Sequence, residues 1–197
     1  MIAFAQQSFL AGQYPNLSFY LRDATAIELP HPFDLVFSNA ALHWIENHRA
    51  ILQSVRPHLR PGGRILLQMG GRGNVAGLLS VVNEIIASPE WQGYFEGFRS
   101  PPWFFYGPEE YEVWLREAGF EPVRIDLLRR HMQHPGPVGF KGWLRTTWFT
   151  YTGRLPEALR EPFLDSLVDS YIALYPLDQA GMTHVDMVRL EIEARII

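Results

Sequence analysis

The sequence predicts an α/β fold built on parallel strands, and three stretches carry that expectation. Phe33, Leu35, Val36 and Phe37 form an apolar run of strand length, halted by Ser38 and Asn39, whose side chains favour turns and caps. Apolar residues then recur near the helical period at Ile45, Ile51, Leu52, Val55 and Leu59, until Pro61-Gly62-Gly63 removes an amide and permits a left-handed turn. A second apolar run follows at 64–69. Two buried strands joined by a helical crossover pair in parallel with right-handed connectivity. In open sheets of this kind ligands sit at the carboxyl ends of the strands, which places the informative residues at 38–44 and 68–74.

Residues 1–10 read as a helix without a cap residue before it, so its beginning looks cut. Residues 17–21 read as a further strand. After Met69, a glycine turn leads into a helix over 75–87. Its Gly71-x-Gly73 with Gly77 only partly matches a dinucleotide loop, because the third glycine comes one place late and no acid follows some twenty residues on, so this loop reads as the mouth of a site. Residues 91–106 are rich in aromatics and proline. A helix starts at Gly107-Pro108-Glu109-Glu110, with proline early and acids in its first turn, and ends at Gly119. A strand is expected over 123–128, a loop over 136–139, helices over 140–151 and 156–175, and a half-exposed closing strand over 185–197, where apolar and charged residues alternate.

At 197 residues the chain suits a single domain, with 88–108 and 136–176 as cap or lid insertions. A net charge of -4 offers no basic footprint for nucleic acid, and no apolar run approaches a membrane span. The absence of cysteine excludes disulfides and thiolate chemistry and points to the cytoplasm. Aromatic residues make up 14% of the chain and cluster between Trp91 and Phe149, the composition of an aromatic-lined wall or lid. His131-x-x-His134 and His43 with His48 are the candidate metal pairs. The first falls in an expected loop, the second is spaced off one helical face, and neither has a nearby carboxylate to complete a ligand set.

The run DLVFSNAALHWIENHRAILQSVRPHLRPGGRILLQM closely resembles the middle of the class I S-adenosylmethionine-dependent methyltransferases. Ser38-Asn39-Ala40 followed by His43-Trp44, the aromatic middle and the helices ending at 171–176 look most like the trans-aconitate methyltransferase group. The resemblance covers nearly the whole chain and implies a Rossmann-like methyltransferase sheet with a helical, aromatic-rich substrate cap. It also implies that the first two strands, with the glycine-rich loop for the methionine part of the cofactor and the acid for its ribose, precede residue 1.

By the same resemblance, Asp23 and Ala24 match the position that contacts the adenine of S-adenosylmethionine, and Asn39 and Ala40 match the segment lying along the cofactor. His43 and Trp44 match the substrate-side rim. For a carboxylate acceptor the candidate contacts are Arg72, His43 and Arg145, with Trp44, Trp103, Tyr106 and Trp148 excluding water; a carboxylate is already ionised and needs no general base. The family sheet order, 3-2-1-4-5-7-6, would then leave the strand at 33–37 with an uncovered edge. Such an edge calls for strand exchange, a homodimer, or a rearrangement in which 17–21 pairs elsewhere. The rival reading is a remnant or assembly module that keeps the substrate side of the fold without binding cofactor.

Overall fold

The computed structural model describes all 197 residues. Four strands form one mixed sheet: β1 (Phe33–Asn39), β2 (Leu59–Gly70), β3 (Phe120–Pro135) and β4 (Met182–Ile196), in the order β1-β2-β4-β3. β1 and β2 pair in parallel, with Val36 opposite Ile65 and Asn39 opposite Gln68. β4 runs antiparallel to both β2 and β3. The crossover between β1 and β2 carries α2 (His48–Val55), where Asn47 caps the first turn by accepting the Ala50 N–H at 2.9 Å. The expected βαβ unit is therefore present, at one edge of a four-stranded mixed sheet.

The sheet changes its covered face along its length. At the lower end Leu190, Ile192 and Ala194 of β4 are buried with Ile65, Leu67 and Met69 of β2, under α2 and α4 (Pro108–Glu117). α4 presents Tyr111 and Leu115 to this core, four apart, and Ala118, the residue capping its end, joins them. Gly119, at φ +79°, takes the left-handed turn that ends it. At the upper end the opposite face of β4 is covered: Val185 is buried, and Met187 packs beside it. The covering layer is α3 (Ala76–Ile86), α5 (Gly136–Thr147), α6 (Phe149–Thr152) and α7 (Glu157–Leu174), with the aromatic segment 91–106. In α7, Phe163, Leu164, Leu167, Val168 and Tyr171 form the apolar stripe.

Three expectations are corrected. The stretch 17–21 forms no strand; it lies in an irregular segment that follows α1 (Ile2–Ser8), held by an edge contact between Phe9 and Tyr14 and by Gln6 donating to the Phe19 carbonyl at 3.2 Å. A strand needs a partner for its amides, and no strand lies beside this one. β1 therefore keeps one open edge within the chain, and the rearrangement in which 17–21 pairs elsewhere does not occur. β3 is also far longer than 123–128. It continues through His131 and His134, which makes that pair part of a strand instead of a loop, because β4 offers a ladder partner at every position from Arg124 to Pro135. The expected loop at 136–139 is the first turn of α5, which has proline early.

Candidate active site

A cavity of about 570 Å³ lies where the carboxyl ends of β1 and β2 meet the change of covered face. Its floor is one face of the sheet. Gly70 pairs with Arg189, and Arg130 pairs with Met187, so Arg130 and Arg189 are diagonal neighbours on adjacent strands. Gln68 and Met132 extend this floor.

The walls are aromatic. Trp44 stacks on Phe149 with centroids 5.4 Å apart and meets Trp103 edge-on at 5.6 Å; Trp103 meets Trp148 at 5.1 Å, and Trp148 meets Trp143 at 6.3 Å. Phe105 stacks on Trp103 at 5.9 Å. Trp103 and Trp148 are buried at 6% and 2% exposure, while Trp44 at 38% stands on the rim. Gly70 permits this closure: a Cβ there would sit 2.7 Å from both the Phe105 ring and the Asn74 amide.

Backbone strain gathers at the same place. Ala40, at φ +54°, and Val75, at φ +51°, are the only non-glycine residues with positive φ, and both line the cavity. The left-handed conformation is costly for a β-branched residue such as Val75, and such strain concentrates at functional sites. Asn74 secures the turn before Val75, its carbonyl oxygen accepting the Val188 N–H at 2.8 Å.

His43 accepts the Gly70 N–H on Nδ1 at 3.3 Å, which leaves its proton on Nε2. Burial pushes its pKa down to about 4, with His48 adding a smaller push in the same direction, so the ring is neutral at ordinary pH. His48 is fully buried; its Nε2 donates to the Leu42 carbonyl at 2.8 Å and its Nδ1 accepts from the Tyr111 hydroxyl at 2.6 Å. Burial lowers its pKa too.

The structure brings Ala40, His43 and Trp44 together on this cavity, with Trp103 and Trp148. Arg72 and Arg145 are not brought there. Arg72 is held at the start of α4 by Glu109 at 3.0 Å and by a shorter contact to Glu110. Arg145 is clamped by both oxygens of Glu161, each at 2.8 Å. Tyr106 also lies outside, against His48 and Trp114, donating to the Glu46 carbonyl at 2.8 Å. Asp23 caps a short turn, and one of its oxygens accepts both the Thr25 N–H and its hydroxyl, which holds the carboxyl below its ordinary range. Ala24 is half-buried and its carbonyl accepts the Ser54 hydroxyl at 2.8 Å, while Asn39 is exposed at the end of β1.

The sequence reading missed Arg130 and Arg189. They lie on the antiparallel strands β3 and β4; Arg130 falls beyond the strand expected over 123–128, and Arg189 looks like a solvent-facing charge in the alternation of the closing strand. His131 hydrogen-bonds Asp186 at 3.1 Å and His184 at closer range, and no group of three or more His, Cys, Asp or Glu side chains is arranged to hold a metal ion. No helix is long and apolar enough to cross a membrane.

The profile of a methyltransferase domain family matches residues 1–67. The chain is 34% identical over 111 residues to an uncharacterized methyltransferase of Schizosaccharomyces pombe, covering 53% of this chain and 42% of that protein. It is 28% identical over 175 residues to the trans-aconitate 2-methyltransferase of Delftia acidovorans, covering 82% and 63%. Over these stretches the chain is similar in sequence to methyltransferases. It thus spans about two fifths and three fifths of those two relatives. The fold agrees: a solved loganic acid methyltransferase with S-adenosylhomocysteine superposes at a TM-score of 0.65 and 13% identity, over 92% of this chain and 68% of that one.

Proposed function

We propose that this chain supports S-adenosylmethionine-dependent methyl transfer to a small carboxylic acid bound in the aromatic cavity. The observation that carries this reading is the position of the cavity, at the carboxyl ends of β1 and β2, with Ala40 and His43 on its side wall and two arginines in its floor. The residues matched to the cofactor are compatible with it. Asp23 keeps a carboxylate oxygen without a hydrogen bond, which suits an exocyclic amine, and the strained Ala40 brings bare backbone to the end of β1. The cofactor supplies an electrophilic methyl on a sulfonium. With that cofactor bound, a carboxylate oxygen would form the new C–O bond as the C–S electron pair left on sulfur, and no proton transfer would be needed. The chain then has to bind the acid, orient it and exclude water, and buried Trp103 and Trp148 fit the last task. Calorimetric titration with S-adenosylhomocysteine tests the cofactor half: wild type is expected to bind and Asp23→Ala to bind more weakly, and no binding by wild type favours the remnant reading for this chain.

The open edge of β1 supports one further part of this reading. Leu35 and Phe37 are 41% and 65% exposed beside a row of unpaired amides and carbonyls, and neither lysine nor a proline within the strand guards them. A second copy of the chain pairs along this edge. Sedimentation velocity is expected to show a concentration-dependent dimer that Phe37→Lys shifts to monomer; a wild type that stays monomeric at every concentration removes this part.

A further inference from the structure

We infer that the acceptor carries one carboxylate on a flat, apolar, unsaturated body, and that polycarboxylates are excluded. This rests on the reading of the aromatic cavity as the acceptor site, and it comes from counting charges there.

Four groups on the cavity could answer an anion: Arg130, Arg189, His43 and His131. His43 is neutral and half-buried, and offers a single Nε2–H. His131 already faces Asp186, with His184 on its other nitrogen. Arg189 spends its terminal nitrogen on Glu191, yet its Nε is buried without any partner. A buried guanidinium N–H left unpaired is costly, so a ligand acceptor is expected beside it. Arg130 makes no ion pair; its one side-chain hydrogen bond is a long 3.4 Å contact to the neighbouring Arg129 carbonyl. The free Arg130 and the open Nε of Arg189, diagonal to each other on the same face of the sheet, are matched to one carboxylate.

The rest of the lining is uncharged: aromatic rings, a few aliphatic side chains, and the polar Gln68, Asn74, Thr146 and Thr147. Trp44, Trp103, Phe105, Trp143, Trp148 and Phe149 surround the cavity and leave no cation for a second or third carboxylate. A carboxylate pressed against these rings would lose its water and gain nothing in return. A planar conjugated body instead stacks on Trp44 and Trp103, as those rings already do on their neighbours.

The test is binding without cofactor, followed by the tryptophan fluorescence of the wall and by calorimetry, with three probes. trans-Cinnamate has one carboxylate on a flat apolar body, cinnamamide has the same body without charge, and trans-aconitate has three carboxylates on a polar one. The expected order is cinnamate first, with cinnamamide and trans-aconitate each at least about tenfold weaker, a difference that one charge-assisted contact supplies. Arg130→Gln, a change at an exposed position with the fold checked by circular dichroism, is expected to bring cinnamate down to the level of cinnamamide. The inference is overturned by trans-aconitate binding as tightly as cinnamate, by cinnamate binding no better than cinnamamide, or by Arg130→Gln leaving cinnamate unaffected. If cinnamate binds as expected and no methyl ester forms when S-adenosylmethionine is added, the acceptor inference stands and the methyl-transfer reading falls.

Discussion

Trp148→Ala is expected to lower stability by about 3–5 kcal/mol, the range for removing a fully packed aromatic side chain, and the melting temperature by roughly 10 °C in a domain of this size. Trp148 is 2% exposed and follows α5, where its N–H closes the helix by donating to the Leu144 carbonyl at 2.8 Å. Its ring stacks on Tyr151 at 5.1 Å and meets Trp103 edge-on at the same distance. It therefore joins the cap helices to the aromatic segment and also walls the cavity, so its removal costs folding and binding together. Trp44 separates the two effects. It stands on the rim at 38% exposure and stacks mainly on Phe149, itself 55% exposed, so Trp44→Ala should cost about 1 kcal/mol while opening the cavity to water. Urea melts of both variants beside acid-binding titrations check this. Equal stability losses at the two positions would contradict the division between core and rim.

The same pair shows how far the residues could be read in advance. Local pattern was enough for β1, α3 and α4, because each shows its period and its stop within a dozen residues: Ser38 and Asn39 after the apolar run, Gly119 after Leu115 and Ala118. It found α2 and β2 but misplaced their join: the helix ends at Val55, and Pro61-Gly62-Gly63, expected as its stop, lies inside β2, which starts at Leu59. It was not enough for β3. The upper half of β3 is polar, RRHMQH, and is a strand because β4 supplies its ladder and the cap helices cover one of its faces, neither of which leaves a local mark. The site divides in the same way. His43 and Trp44 are legible because they follow a recognisable strand end. Arg130 and Arg189 are not, since their meaning comes from a diagonal register between residues nearly sixty positions apart. Arg72 had the best position in the sequence, directly after β2, yet α4 places Glu109 and Glu110 against it, and local charge pairing decides where it goes.

Stability should fall on mild acidification, and His43 should account for much of the fall. An unfolded histidine titrates near its ordinary value of about 6.5. In the folded chain burial holds His43 near 4. The native state then binds fewer protons than the unfolded one between these values, so stability is complete above the unfolded value and is lost as the pH drops toward the folded one. At pH 5 the His43 share is on the order of 2 kcal/mol, from 1.36 kcal/mol per unit. His48 acts in the same direction, since its pKa is also lowered by burial and both ring nitrogens are committed, to Tyr111 and to the Leu42 carbonyl. Paired carboxylates such as Glu110 and Glu191 have lowered pKa values, so their contribution is lost only further down, below the ordinary carboxylate range. Urea unfolding at pH 7.5 and pH 5 isolates the histidines for this reason. His43→Gln should remove its part of the pH dependence while keeping a side chain able to accept the Gly70 N–H, and the remaining slope should belong to His48 and His134, whose pKa values burial also lowers. If the variant loses as much stability between the two pH values as wild type does, His43 is protonated in the native chain and is not the neutral ring lining this cavity.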